Sequence, residues 1–183
     1  MMATIGVVAS AAGGVEQLRE GLVQPLIERG HVVALTVTPT AGGWLDRTGE
    51  RTKLAELTGL PVRSEPRFPD EDTPHPQIDL YVAAPWTASS TAKLSLGIAD
   101  NQALTALCES IATVPVIVFP RVNAAHARQP AWPDHIARLR AAGVQLIYGD
   151  DVWPLAEPRA AGPRVLPWPA IISAVETLEA GRS

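Results

Sequence analysis

The sequence has a single cysteine, Cys108, among 183 residues. It can form neither an internal disulfide nor a multi-cysteine metal site, and nothing in it points to an oxidising compartment, so the cytoplasm is the expected location. Positive charge is sparse: 15 Lys and Arg against 19 Asp and Glu give a net charge of −4. No basic run could follow a phosphate backbone, and nucleic acid is not an expected partner. No stretch approaches the ~18 unbroken apolar residues of a membrane-crossing helix. The apolar start carries its first basic residue only at Arg19, where a signal peptide would place its charge in front, so neither a leader nor a membrane association is expected. Also missing are GxGxxG, GxxxxGK(S/T), GxSxG, HExxH and CxxC. Their absence removes support for the usual dinucleotide fingerprint, P-loop chemistry, serine hydrolysis and the common zinc sites. Five tryptophans, Trp44, Trp86, Trp132, Trp153 and Trp168, are too scattered to form a stacking platform for single strands.

What remains is an apolar composition, 46% hydrophobic and 19% charged, long enough to bury roughly 70% of the unfolded surface in one domain spanning residues 1–183. Short apolar runs alternate with amphipathic segments, which predicts an α/β domain with a mostly parallel sheet. The first unit has a strand over 4–9, a tight turn over 10–14, and a helix whose apolar face is Val15, Leu18, Leu22, Val23, Leu26 and Ile27, closed by Gly30. Further strands are predicted over 31–37, 78–84, 114–119 and 144–148. Helices are predicted over 44–57, 92–112, 132–142 and 169–180. Residues 62–77 break the rhythm with Pro66, Pro69, Pro74 and Pro76, reading as an irregular loop that is either a lid or a solvated excursion.

Small hydroxyl residues gather where strands end: Ser10 after the first, Thr38 and Thr40 after the second, and Thr87, Ser89, Ser90 and Thr91 after the run over 78–84. Taken singly, each reads as a helix N-cap. Together they suit a monophosphate, because ligands of open α/β sheets sit outside the carboxyl ends of the strands, where helix N-termini offer free N–H groups.

The segment from Ala84 to Asn101, A-P-W-T-A-S-S-T-A-K-L-S-L-G-I-A-D-N, resembles the P-A-(S/T)-A-N-T-x-A-K-x-x-x-G-x-A-D block of the flavoprotein family of homo-oligomeric, FMN-containing cysteine decarboxylases. Pro120-Arg121-Val122-Asn123 is similar to that family's P-x-M-N. Ala9-Ser10-Ala11-Ala12 resembles its G-S-x-A turn, and Thr38-Pro39-Thr40-Ala41 with Trp44 its second-strand motif. Gly162-Pro163-Arg164 resembles the G-x-G-R stretch before the last helix. The resemblance spans nearly the whole chain.

It implies a flavodoxin-like three-layer sandwich with helices on both faces of the sheet. It also implies assembly as trimers or multiples of trimers, with FMN bound where subunits meet. By resemblance, Ser10 and Thr38, with Ala11 in the same turn, face the FMN phosphate. Pro85, Thr87 and Ser89 line the cofactor, Val122 touches the flavin, and Asn123 holds the substrate carboxylate. The implied reaction is the oxidative decarboxylation of a cysteine-containing small molecule or peptide. Side chains supply no two-electron acceptor, so a flavin is what such a thiol oxidation requires. The proton falls to a histidine. The nearest candidate is His75, four residues before Asp79 and between Pro74 and Pro76, with His126 as a relocated alternative. Trp86, where the family has alanine, stacks on the ring or packs between subunits. The cysteine that the bacterial coenzyme A enzymes carry near the chain's end has no counterpart among Ala160, Ala161 and Gly162. Two other classes stay open: an FMN-binding protein without decarboxylase chemistry, and a flavin prenyltransferase, suggested by Pro120-Arg121.

Overall fold

A computed structural model describes residues 2–160, 162 and 164–181. Its strands are near-continuous apolar runs because both faces are covered. They are β1 (Thr4–Ala9), β2 (Val32–Val37), β3 (Leu80–Trp86), β4 (Val116–Pro120) and β5 (Gln145–Leu146). All pair in parallel in the order β2-β1-β3-β4-β5. Parallel neighbours need crossovers, and helices supply them. After β1 come a 3₁₀ turn over Val15–Gln17, a wider π turn over Arg19–Val23 and α1 (Gln24–Glu28). Then follow α2 (Pro39–Thr48), α3 (Glu50–Thr58), α4 (Ala88–Leu96), α5 (Gln102–Ser110), α6 (Ala124–Ala127), α7 (Trp132–Ala141) and α8 (Trp168–Gly181).

Alternate residues of each strand feed two cores. Ile5, Val7, Leu35, Val82, Ile117 and Phe119 meet Leu22, Leu26, Leu45, Leu54, Ile171 and Val175 on one face. Val8, Ala83, Val116 and Val118 meet Leu94, Leu104, Leu107 and Leu139 on the other. Each leucine wholly withdrawn from water contributes roughly 1.5–3 kcal/mol. This is the three-layer sandwich that the resemblance implies. Among the described residues no helix is long and apolar enough to cross a membrane.

Two predicted helices prove to be pairs. The stretch over 44–57 is interrupted at Gly49 (φ 71), and α2 starts earlier, at Pro39, because Thr38 caps it. The stretch over 92–112 divides where Gly97 (φ 70) ends α4 and Asn101 caps α5. In both, an apolar period continues across a glycine that takes a left-handed conformation, so periodicity alone hides the break. The last strand shrinks to two paired residues at the sheet edge. Cys108 is half-buried against the second core, and burial raises its thiol pKa. Ala161 and Pro163, in the stretch read before the last helix, lie outside the described residues.

The proline-rich segment over 62–77 meets the edge of β2 at Arg63. Arg63 N–H donates to Leu35 O (3.0 Å) and Arg63 O accepts from Val37 N–H (2.7 Å). The Arg51 guanidinium donates to Val62 O (2.8 Å) and to Ser64 Oγ (3.0 Å). These bonds satisfy the carboxyl-terminal end of an edge strand that would otherwise be open to pairing.

Gly6, in the middle of β1, makes room for a side chain of β3: a Cβ there would stand 2.4 Å from Tyr81 Cε1. Gly6→Ala is therefore expected to destabilise the protein by about 1–3 kcal/mol through overpacking. Urea unfolding measures this, and adding Tyr81→Leu should return part of the loss. An unchanged midpoint in Gly6→Ala would contradict the close approach.

Candidate functional site at the carboxyl ends of the strands

The strand order changes direction between β1 and β3, the place where an open parallel sheet leaves a crevice at its carboxyl ends. One residue ties that junction together. Ser10 is 2% exposed; its N–H donates to Pro85 O (3.0 Å) and its Oγ accepts from Thr87 N–H (2.7 Å). Pro85 offers no N–H to a ladder, and the β3–β4 register shifts between Ala83 and Trp86. Ser10 and Thr87 close the gap that follows.

The other hydroxyls do what N-caps do. Thr38 N–H donates to Ala9 O (2.9 Å) while its Oγ1 accepts from Ala41 N–H (3.4 Å). Thr87 Oγ1 accepts from Ser90 N–H (3.1 Å) at the start of α4. Asn123 Oδ1 accepts from His126 N–H (3.0 Å) at the start of α6. Capping fixes the direction in which each helix presents its first-turn N–H groups. Ser89 is exposed in the first turn of α4 and Ala11 is half-buried after β1. The structure thus brings Ser10, Ala11, Thr38, Pro85, Thr87 and Ser89 to one end of the sheet. Val122 is shut into a small core with Trp132 and Ile136.

Beside this rim lies a cavity of about 370 Å³ whose lining includes Gly13, Gly14, Arg121, Asn123, Arg159 and Arg164. Arg121 follows β4 directly and donates its N–H to Trp86 O (2.8 Å). Its guanidinium and that of Arg164 both stand over the Trp153 ring, at 5.0 and 3.6 Å from its centroid. Burial lowers the Arg121 pKa, the Arg164 charge lowers it further, and Glu16 acts in the opposite sense. These arginines were quoted in the motifs but not read as site residues. The legible signal was a charged residue immediately past a buried strand.

A family model described as Flavoprotein matches residues 2–178. The chain belongs to the flavoprotein family. TvaF, an FMN-dependent cysteine decarboxylase from thioviridamide biosynthesis, is 24% identical over 79% of this chain and 88% of its own, with a TM-score of 0.64. HAL3 from Cryptococcus neoformans is 18% identical over 99% of this chain and 98% of its own, with a TM-score of 0.70. A PPC decarboxylase variant complexed with pantothenoylaminoethenethiol is 16% identical over 98% and 100%, with a TM-score of 0.69. Comparison with curated proteins finds no match. The solved structures share the fold described above.

In this flavoprotein His75 stands apart from Asn123. It lines a separate cavity of about 190 Å³ with Thr36, Arg63, Tyr81 and Ser110, and its Nε2 lies 2.7 Å from Pro61 O. Burial lowers its pKa, the Pro61 carbonyl partly offsets that, and the Arg63 charge adds to the lowering. His126 lines a third cavity with Trp132 and His135. Trp86 does not stack on a ligand or reach a subunit interface: it is wholly buried in the second core, and its Nε1 has no partner among the described residues.

Ser10→Ala should cost about 1–3 kcal/mol, because the Thr87 N–H loses its acceptor in a partly buried place. Thermal unfolding tests this, and an unchanged Tm would show that the β1–β3 junction does not depend on the hydroxyl.

Proposed function

We propose that this flavoprotein binds FMN at the carboxyl ends of its strands and oxidatively decarboxylates a cysteine-containing small molecule or peptide. The observation that carries the reading is the Ser10–Thr87 junction at the point where strand order reverses, with the start of α4 on one side and the Asn123 cavity on the other. The donor set suits the cofactor. A phosphate needs N–H groups, and the Ala88 and Ser89 amides that open α4 supply them together with the exposed Ser89 hydroxyl, the Ser90 amide being taken by the Thr87 cap. Ser10, Ala11 and Thr38 form the adjoining rim, and Pro85 and Thr87 flank it, whereas Val122, expected to touch the flavin, is shut into the core with Trp132 and Ile136. TvaF is described as FMN-dependent and AtHal3 as FMN-binding, and family membership supports the same cofactor here.

Bound FMN would supply the two-electron acceptor that no side chain provides, taking the thiol to a thioaldehyde. Loss of carbon dioxide then follows readily, because the adjacent thiocarbonyl stabilises the electron pair left behind. The chain's own task is to orient the carboxylate, which the Asn123 side-chain amide does, and to manage one proton. His75 is the histidine assigned to that proton. Since His75 and Asn123 line separate cavities of one chain, the pair works together only where copies meet, which accords with a trimer or a multiple of trimers. The reading is of a cytoplasmic enzyme. A second reading, FMN binding without decarboxylation, is favoured by the hydrogen-bond contact of His75 with Pro61 O, away from Asn123.

Anaerobic mixing of the purified protein with a peptide ending in cysteine, and separately with phosphopantothenoylcysteine, should bleach the flavin band and release carbon dioxide. A yellow protein inert to both thiols would favour the second reading. Asn123→Asp keeps the α6 cap, since aspartate caps as well as asparagine, but sets a carboxylate against the substrate's own. It should retain FMN and lose turnover by about 100-fold; full turnover would remove Asn123 from the site. His75→Gln should slow turnover by about 100-fold or more with FMN retained, and an unaltered rate would remove His75 from the chemistry.

A further inference from the structure

The cavity that His75 lines carries charge of both signs. Residues of β1, β2, β3 and α5 enclose it together with the stretch over 73–78, and Arg63 and Glu109 both stand in its wall. Among the described residues neither of these two forms an ion pair, with the other or with any third group. The Arg63 backbone is fixed beside β2 by its bonds to Leu35 and Val37, so the half-buried guanidinium starts from an anchored position. Burial lowers its pKa, and the Arg67 charge lowers it further. Tyr81 feels both unpaired charges. Burial raises its phenol pKa, the bond with Ser110 lowers it, Glu109 raises it and Arg63 lowers it. A cation and an anion therefore act on one hydroxyl from the wall of one cavity.

The floor follows from the sequence. Gly6 carries no side chain, and the Tyr81 ring takes the space above it, where a Cβ would stand 2.4 Å from Cε1. His75 adds an acceptor. The Pro61 carbonyl can only accept, so the histidine Nε2 carries the proton of that bond and Nδ1 keeps its lone pair. A partly buried charge without a partner is costly, and one ligand can answer both charges only if it carries a carboxylate and an ammonium. A phosphate or a dicarboxylate would suit Arg63 and be repelled by Glu109; a diamine would meet the reverse. The volume of about 190 Å³ equals that of about six waters at ~30 Å³ each, which suits a small amino acid.

From this arrangement we infer that the cavity binds a small zwitterionic α-amino acid of the size of alanine or serine, its carboxylate on Arg63 and its ammonium toward Glu109. The site shares no lining residue with the Asn123 cavity, and binding there does not rest on the decarboxylase reading.

L-alanine added to the holoenzyme is the probe. Isothermal titration gives the affinity, and histidine-ring NMR gives the place, with the His75 signal assigned by its loss in His75→Gln. L-alanine should shift the His75 signal and leave those of His126 and His135 where they are. N-acetyl-L-alanine and L-alaninamide each lack one charge and should bind at least about tenfold more weakly. Arg63→Gln and Glu109→Gln should each weaken L-alanine about tenfold or more, while Arg63→Lys should keep part of the affinity. FMN content and far-ultraviolet circular dichroism of the variants should match the parent. Glu109 is exposed on α5, so Glu109→Gln reads the site even where an Arg63 variant folds poorly. No shift of His75 with L-alanine at about 10 mM, a level that any useful affinity would saturate, overturns the inference. Undiminished binding by Glu109→Gln overturns it as well. N-acetyl-L-alanine binding as tightly as L-alanine would leave a plain carboxylate site and overturn the choice of an amino acid.

Discussion

A buried serine hydroxyl ties together the carboxyl ends of two central strands of this fold. Strands β1 and β3 pair in register from Ile5 and Leu80 to Val8 and Ala83, and just beyond, Pro85 has no N–H to give and the register of β3 against β4 shifts. Ser10 carries the pairing of β1 with β3 past that point, its N–H donating to Pro85 O and its Oγ accepting from Thr87 N–H. Thr87 in turn caps α4. One short chain of hydrogen bonds therefore sets the end of a central strand, the start of a helix and the lip of the crevice between them. The crevice inherits its shape from a backbone constraint, and the polar side chains around it sit on that frame.

The same economy governs the charges. Thr38, Thr87 and Asn123 each use an oxygen to cap a helix, and the first-turn N–H groups not taken by the caps are a mild anion attractor. The full positive charges lie a little further round, in Arg121 and Arg164 stacked on Trp153. Trp153 is itself packed edge-on against Phe119 of the first core, at 5.4 Å between centroids. Aromatic packing thus positions the cations, and the hydrophobic core reaches directly into the chemistry of the cavity.

Much of this was legible beforehand. The parallel α/β architecture follows from apolar runs such as 4–9 and 114–119, buried on both faces, and Val15, Leu18, Leu22, Val23 and Leu26 all fall in the core as their spacing requires. The hydroxyls at strand ends were legible as well. Residue types could not say that Ser10 would spend its side chain on Thr87 and Pro85, since that depends on the register shift after Pro85. Breaks at Gly49 and Gly97 were hidden because the apolar period runs through them. Arg121 and Arg164 lie over forty positions apart and meet only because Trp153 gives both a surface. His75 and Asn123 were paired by resemblance, and chain geometry places them in different cavities.

The central claim is that the crevice between β1 and β3 is a site for a flavin carrying a phosphate. It is tested most directly by titrating the apoprotein with FMN and, in parallel, with riboflavin, following flavin fluorescence. FMN should bind at least about tenfold more tightly, because only its phosphate can use the N–H groups at the rim. Equal affinity for the two flavins, or uptake of neither, would contradict the account.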